Sequence, residues 1–236
     1  MTLLSAGRWA TLRLVVAAVG LLLFPTAIQH LHINVGPNLS PILPPADDPA
    51  TAVLAVEAQL GVAATLASRE GVAYPGRFFV IPAALAGGAA AGGFATFRHY
   101  NDDGQSSSLS PARDAADWAA KDARRNRTVG AVSHVPVLSL ARLLDALPPS
   151  VTVPLLKTDA QGWDLSIIQS AGRSLRRAER IMAEVFRGDI LYDLPPGVTN
   201  DLDKGWVPYM RSLNYTLAKA GPGKYTDAVF ERVGEP

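Results

Sequence analysis

Leu31–Glu57 reads LHINVGPNLSPILPPADDPATAVLAVE, and the fold of the chain turns on it. An apolar strand ends on Asn34-Val35-Gly36-Pro37-Asn38, a proline-rich passage follows, and a second strand ends on Glu57. Two such strands, one stopping on a glycine turn and the other on an acid, frame a crevice for a nucleotide-type cofactor. Gly36 lets the backbone approach the ligand, and Glu57 accepts hydrogen bonds from a ribose. The competing reading makes Gly36-Pro37-Asn38 an ordinary turn, which all three residue types favour. Pro41, Pro44, Pro45 and Pro49 leave no room for a full helix between the strands, because an interior proline costs about 3 kcal/mol and removes a hydrogen bond. The crossover is therefore expected to be irregular.

Downstream, helical and strand-like patterns alternate. Gln59 to Arg69 has helical spacing, and Arg77 to Pro82 (RFFVIP) has the β-branched and aromatic content of a buried strand. Ala83 to Gly93 suggests a flexible connection or small hairpin, Phe94 to His99 an added strand, and Asn101 to Gly104 a turn. Ser110 to Arg125 is expected to be a surface helix. VSHVPVLSL then feeds a short helix over Leu140 to Leu147.

The second informative stretch is Val151 to Asp159 (VTVPLLKTD), a buried strand ending in charge, followed by a helix expected from Gly162 through Arg180. That order places Lys157, Asp159, Gln161 and Asp164 at the carboxyl edge of a sheet, where ligands bind in open α/β folds. Ile181 to Phe186 is a further strand, and Trp206 to Leu213 a helix. A hairpin around Gly221-Pro222-Gly223 closes the chain. The sum is an α/β fold with a doubly wound, mostly parallel Rossmann-like sheet and a C-terminal antiparallel hairpin.

Composition bounds the function. The chain has 236 residues, 48% of them hydrophobic, so it can bury one well-formed domain. A formal net charge of +1 with no long run of either sign points away from nucleic acid and toward a small or neutral partner. The absence of cysteine excludes disulfides, thiolate-bound metals and a thiol nucleophile. His30 and His32 lack metal-site geometry, and no metal is expected.

Residues 1–30 form a separate segment from the domain expected over residues 31–236. Arg8 and Arg13 precede an apolar run from Leu14 to Phe24. This fits a signal peptide or short anchor, with membrane association through residues 8–28 and a secretory or membrane location. The run is short of the roughly 20 residues of a spanning helix, and a buried helix packed on the sheet is the other reading. Sequons at Asn38, Asn126 and Asn214 are compatible with secretion.

INVGPN with AVE, VLSLARLLDALP, LLKTDAQGWDLSIIQSAG and IMAEVF together resemble the FkbM-type S-adenosylmethionine-dependent methyltransferases. That family has a glycine and asparagine loop after the first strand, an acid after the second and a Lys-x-Asp-x-Glu-Gly turn after the fourth. The resemblance covers about Leu31 to Phe186, and Lys157 to Gly162 is its most specific part. It implies S-adenosylmethionine as cofactor, held by Asn34, Gly36, Asn38 and Glu57. It also implies a class I methyltransferase fold and O-methylation of a sugar, glycan or other small hydroxyl compound. Asp159 would act at the methyl-transfer centre, with Lys157 and Asp164 as supporting charges. Three positions depart from the pattern: Asn34 stands where an acid is usual, Ser40 where a second glycine is, and Gln161 where a glutamate is. Asn34, Gln161 and the proline-rich crossover favour the alternative of a non-catalytic, methyltransferase-like domain, secreted or membrane-associated. Simpler roles exist too: Asp159 as a helix cap, Asp164 as a first-turn acid, His99 and His134 as surface residues, and Trp163 as packing between helix and sheet.

Overall fold

The computed structural model describes residues 25, 27–100, 104–113, 129–188 and 191–234. The N-terminal targeting segment, the turn at 101–103 and most of the helix expected after Ser110 lie outside the described residues.

Five parallel strands build the sheet: β1 (His30–Val35), β2 (Thr51–Val56), β3 (Phe78–Ile81), β7 (Thr152–Thr158) and β8 (Ala178–Phe186). Two antiparallel strands, β9 (Tyr215–Ala220) and β10 (Tyr225–Arg232), complete it in the order β3-β2-β1-β7-β8-β10-β9. The chain winds outward from β1 to β3 and then returns to β7 on the other side of β1. This reversal is the topological switch point at which doubly wound sheets bind ligands. A smaller sheet holds β4 (Ala84–Leu85), β6 (Val129–Leu138) and β5 (Phe94–Tyr100) in that order. The Gly/Ala-rich passage thus contains β4 and a short 3-10 turn at Gly88–Ala90.

Strand alternation divides the core. Every residue of β2 is buried: Ala52, Leu54 and Val56 face the main core, while Val53 and Ala55 pack with Val62, Leu66 and Phe78. Val62 and Leu66 share one face of helix α1 (Leu60–Ala73) because they stand four residues apart. Helices α2 (Leu140–Ala146) and α3 (Asp164–Gln169) pack their leucines and isoleucines on the main core.

The crossover from Gly36 to Ala50 contains no helix, as its prolines require. Prolines leave carbonyls without matching N–H donors, and side chains supply the bonds instead. Arg77 donates to the carbonyls of Pro45 (2.5 Å), Asp48 (2.8 Å) and Thr51 (3.1 Å). Asn34 Oδ1 accepts from Ile42 N at 2.8 Å.

Two expected boundaries move. The helix expected from Gly162 to Arg180 ends at Gln169; a 3-10 segment, Gly172–Arg177, and then β8 take its place. Gly172 at φ +51 cannot continue a right-handed helix, and Ser170 turns its hydroxyl onto Ile167 O at 2.6 Å. Helix α4 (Val207–Ser212) begins after a π-turn at Leu202–Trp206. Just before β1, Ile28 is in the core and Gln29 N–H bonds Ala50 O at 2.9 Å. Among the described residues, no helix is long and apolar enough to cross a membrane.

Candidate functional site

At the carboxyl ends of β1, β2 and β7, the sheet opens into a cavity, the place where ligands bind in doubly wound sheets. Val35, Gly36 and Asn38 form one wall, Glu57 and Gln59 the second, and Asp159, Gln161 and Trp163 the third. Ala83–Leu85, Phe97 and the loop from Gly104 to Leu109 complete the lining.

Gly36 is required here by a neighbour within the protein. At φ +65, a Cβ on residue 36 would lie 2.0 Å from the Asp159 carbonyl oxygen. The turns after β1 and β7 cross at van der Waals contact, and only glycine fits. Asp159 N–H donates to Val35 O at 3.0 Å, and Gly36 N–H to Val56 O at 2.9 Å, which locks the two turns to the strand ends.

Glu57 is buried, and both carboxylate oxygens are engaged: Oε2 accepts from Asn38 N at 3.1 Å and Oε1 from Gln59 N at 2.8 Å. It therefore staples the glycine turn to the start of α1 and keeps lone pairs for a ligand. Burial pushes its acidity toward a higher pKa; the backbone bonds from Gln59 and Asn38 pull against it, and the Asp159 charge adds to the rise. Asn38, at φ +47, lines the cavity, and its Oδ1 is buried without a hydrogen-bond partner.

Asp159 lines the cavity and accepts from Gln161 Nε2 at 2.7 Å. Burial raises its pKa, the Gln161 bond and Lys157 lower it, and Asp227 raises it again. Lys157 itself lies on β7 beside Asn34 and Met182 and does not line the cavity. Asn34 does not line it either: it is wholly buried on β1, and its side chain holds the crossover.

Asp164 organises the turn and does not line the cavity. It is completely buried, with Oδ1 accepting from Ala160 N at 2.9 Å and Oδ2 from Gly162 N at 3.3 Å. Burial is the main reason its pKa rises to about 7, with the Asp159 charge adding to it. Trp163 packs in the core, as expected, and it also borders the cavity and donates Nε1–H to Ser110 Oγ at 2.9 Å. His99 bonds Ser133 Oγ at 2.7 Å and meets the ring of Phe97 edge-on at 5.1 Å, on the β5 strand that supplies Phe97 to the lining. Among the described residues, no group of three or more acids and histidines is placed to hold a metal ion.

Sequence reasoning missed the roof. Ser108 Oγ donates to Gln161 O at 3.0 Å, and Tyr192 OH lies 2.7 Å from Gln161 Oε1 and 3.0 Å from Ser106 O. These bonds draw the 104–110 loop over the turn after β7. No local pattern signals it, because a serine run reads as solvated loop.

No protein-family model matches the chain, and no characterised protein matches its sequence. Among solved structures, the fold is similar to magnesium protoporphyrin IX methyltransferase from Synechocystis PCC 6803 with bound SAM, at 11% identity and a TM-score of 0.41, covering 97% of this chain and 81% of that one. It is also similar to the antibiotic-resistance methyltransferase Kmr, at 12% identity and a TM-score of 0.41, covering 88% of this chain and 89% of that one. The sheet order itself defines the class: a doubly wound α/β protein with a mostly parallel sheet and β10 reversed between β8 and the edge strand β9.

Proposed function

We propose that this chain is an S-adenosylmethionine-dependent methyltransferase of FkbM-like character, acting on the hydroxyl of a sugar or other small molecule. The observation that carries the reading is the charge of the cavity. Among the described residues, its lining holds the carboxylates of Glu57 and Asp159 and no lysine, arginine or histidine. A cavity of that kind favours a cation such as a sulfonium and an ammonium, and disfavours the pyrophosphate of a dinucleotide.

The residues fit this cofactor. Asn38 Oδ1 is an acceptor in want of a donor, and Glu57 has free lone pairs at the end of β2 for ribose hydroxyls. The Trp163 and Phe97 rings add faces that attract a cation. Bound there, S-adenosylmethionine would supply an electrophilic methyl group. Asp159 would orient the acceptor hydroxyl and take its proton as the carbon–oxygen bond forms and the carbon–sulfur bond breaks, giving a methyl ether and the thioether product. Its burial-raised pKa suits that role. Walls that hold donor and acceptor in line supply the rest of the rate.

Calorimetric titration of the full chain with S-adenosylmethionine and S-adenosylhomocysteine tests the reading. Binding of both, lost in Glu57→Ala, is expected. A folded protein that binds neither returns the chain to the class of non-catalytic methyltransferase-like domains.

A further inference from the structure

Gln161 stands in the turn between β7 and α3 at φ +51, a left-handed conformation that costs a non-glycine residue about 1–2 kcal/mol. Ser108 Oγ grips its carbonyl, and Asp164 holds the N–H groups on either side of it. The turn therefore aims the side chain. Nε2 donates to Asp159 Oδ1 at 2.7 Å and to Glu184 Oε2 at 3.3 Å, while Oε1 faces the Tyr192 hydroxyl at 2.7 Å. An amide has two ends of nearly equal shape but opposite polarity. Two carboxylates on one side admit only its donor end.

We propose that Gln161 is a positioning residue whose two amide N–H groups bridge the Asp159 and Glu184 carboxylates and hold Asp159 in its ionised form. Naming Asp159 as the proton acceptor rests on the methyltransferase reading; the pairing itself does not. Among the described residues, the other charged groups facing Asp159 are Lys157 on its own strand, Asp227 on β10, Glu57 beyond β2 and Asp164 on α3. Of these only Lys157 favours ionisation, and its influence is smaller than that of the Gln161 bond.

The test is a pH titration of the full chain carrying aspartate labelled with carbon-13 at the side-chain carboxyl, with the Asp159 signal assigned by its loss in Asp159→Asn. Gln161→Leu should raise the Asp159 midpoint by about one unit or more. Gln161→Glu should raise it and spread it over two steps, as coupled acids do. A midpoint within about 0.3 units of the parent in folded Gln161→Leu, where shifts of a unit or more are expected, overturns the proposal. Should that variant not fold, Tyr192→Phe, which frees the amide oxygen, should give a smaller rise, and an unchanged midpoint there is equally decisive. Calorimetry adds a second readout: the preference for S-adenosylmethionine over its uncharged product should fail at a higher pH in Gln161→Leu than in the parent. If the parent binds neither compound, the cofactor reading falls, and the carbon-13 midpoint still decides the role of Gln161.

Discussion

Gly36→Ala tests whether the close crossing of the turns after β1 and β7 holds the site together. The alanine would have to remain at φ +65, a conformation costing about 1–2 kcal/mol for any residue with a Cβ. Its methyl carbon would start 2.0 Å from the Asp159 carbonyl oxygen, whereas carbon and oxygen normally approach no closer than about 3.3 Å. The turns must therefore part by roughly 1.3 Å, which stretches the bonds from Asp159 N–H to Val35 O and from Gly36 N–H to Val56 O. Each is worth about 0.5–1.5 kcal/mol, so the expected loss of stability is about 2–5 kcal/mol. Urea unfolding followed by circular dichroism measures it. Gly61→Ala is the internal control: Gly61 lies in α1 with nothing within 4 Å of the added carbon, and that variant should gain up to about 1 kcal/mol. A Gly36→Ala protein within about 0.5 kcal/mol of the parent would refute the tight crossing, because changes that small are typical of featureless surface sites.

Four further outcomes follow from the same geometry. Glu57→Ala should weaken S-adenosylhomocysteine binding about 10- to 100-fold by calorimetry, the loss expected for charge-assisted bonds to ribose hydroxyls. Asp159→Asn should retain that binding and lose turnover; in the parent, activity should fall on acidification at a pH above the ordinary carboxylate range, because burial raises the Asp159 pKa. Asp164 is raised from 3.8 to about 7, so the folded state holds its proton more tightly than the unfolded chain, and its contribution to stability is greatest below about pH 4 and is lost as pH rises through 7. Relative to Asp164→Asn, which cannot titrate, the parent should lose up to about 4 kcal/mol across that window; parallel stability–pH curves would sink the assignment. Arg177→Met should cost about 2–4 kcal/mol in urea unfolding, since the guanidinium donates to the carbonyls of Leu144, Leu147, Pro148 and Val151.

What was legible in the sequence was what depends on neighbours in the chain. Continuous apolar runs at 51–56 and 181–185 reveal strands buried on both faces, and the prolines at 41, 44, 45 and 49 reveal an irregular crossover. Glu57 and Asp159 were legible because strand ends in a doubly wound sheet converge at one edge. Lys157 and Asn34 were harder: each lies near the right edge, but the cavity does not include their side chains. The burial of Asp164 was not legible, since a fully buried carboxylate bonded to backbone N–H groups reads in sequence like any acid at a helix start. The parts contributed by Ser108, Tyr192 and Glu184 depend on segments 23 to 86 residues apart, and no local period encodes such contacts.

The proline-rich crossover also bears on which ligand the cavity takes. In dinucleotide sites the first strand leads through its glycine turn into a helix, whose N-terminal N–H groups and dipole receive a pyrophosphate. Here no helix lies between Gly36 and Ala50, so that source of positive potential is missing. The next helix, α1, begins close by, but Glu57 already takes the N–H of Gln59 at its start and offsets its dipole with a carboxylate. A second carboxylate, Asp159, stands opposite. Both charged side chains described in the cavity lining therefore oppose an anion, and the lack of the helix, a defect in a phosphate site, costs nothing in a site for a sulfonium.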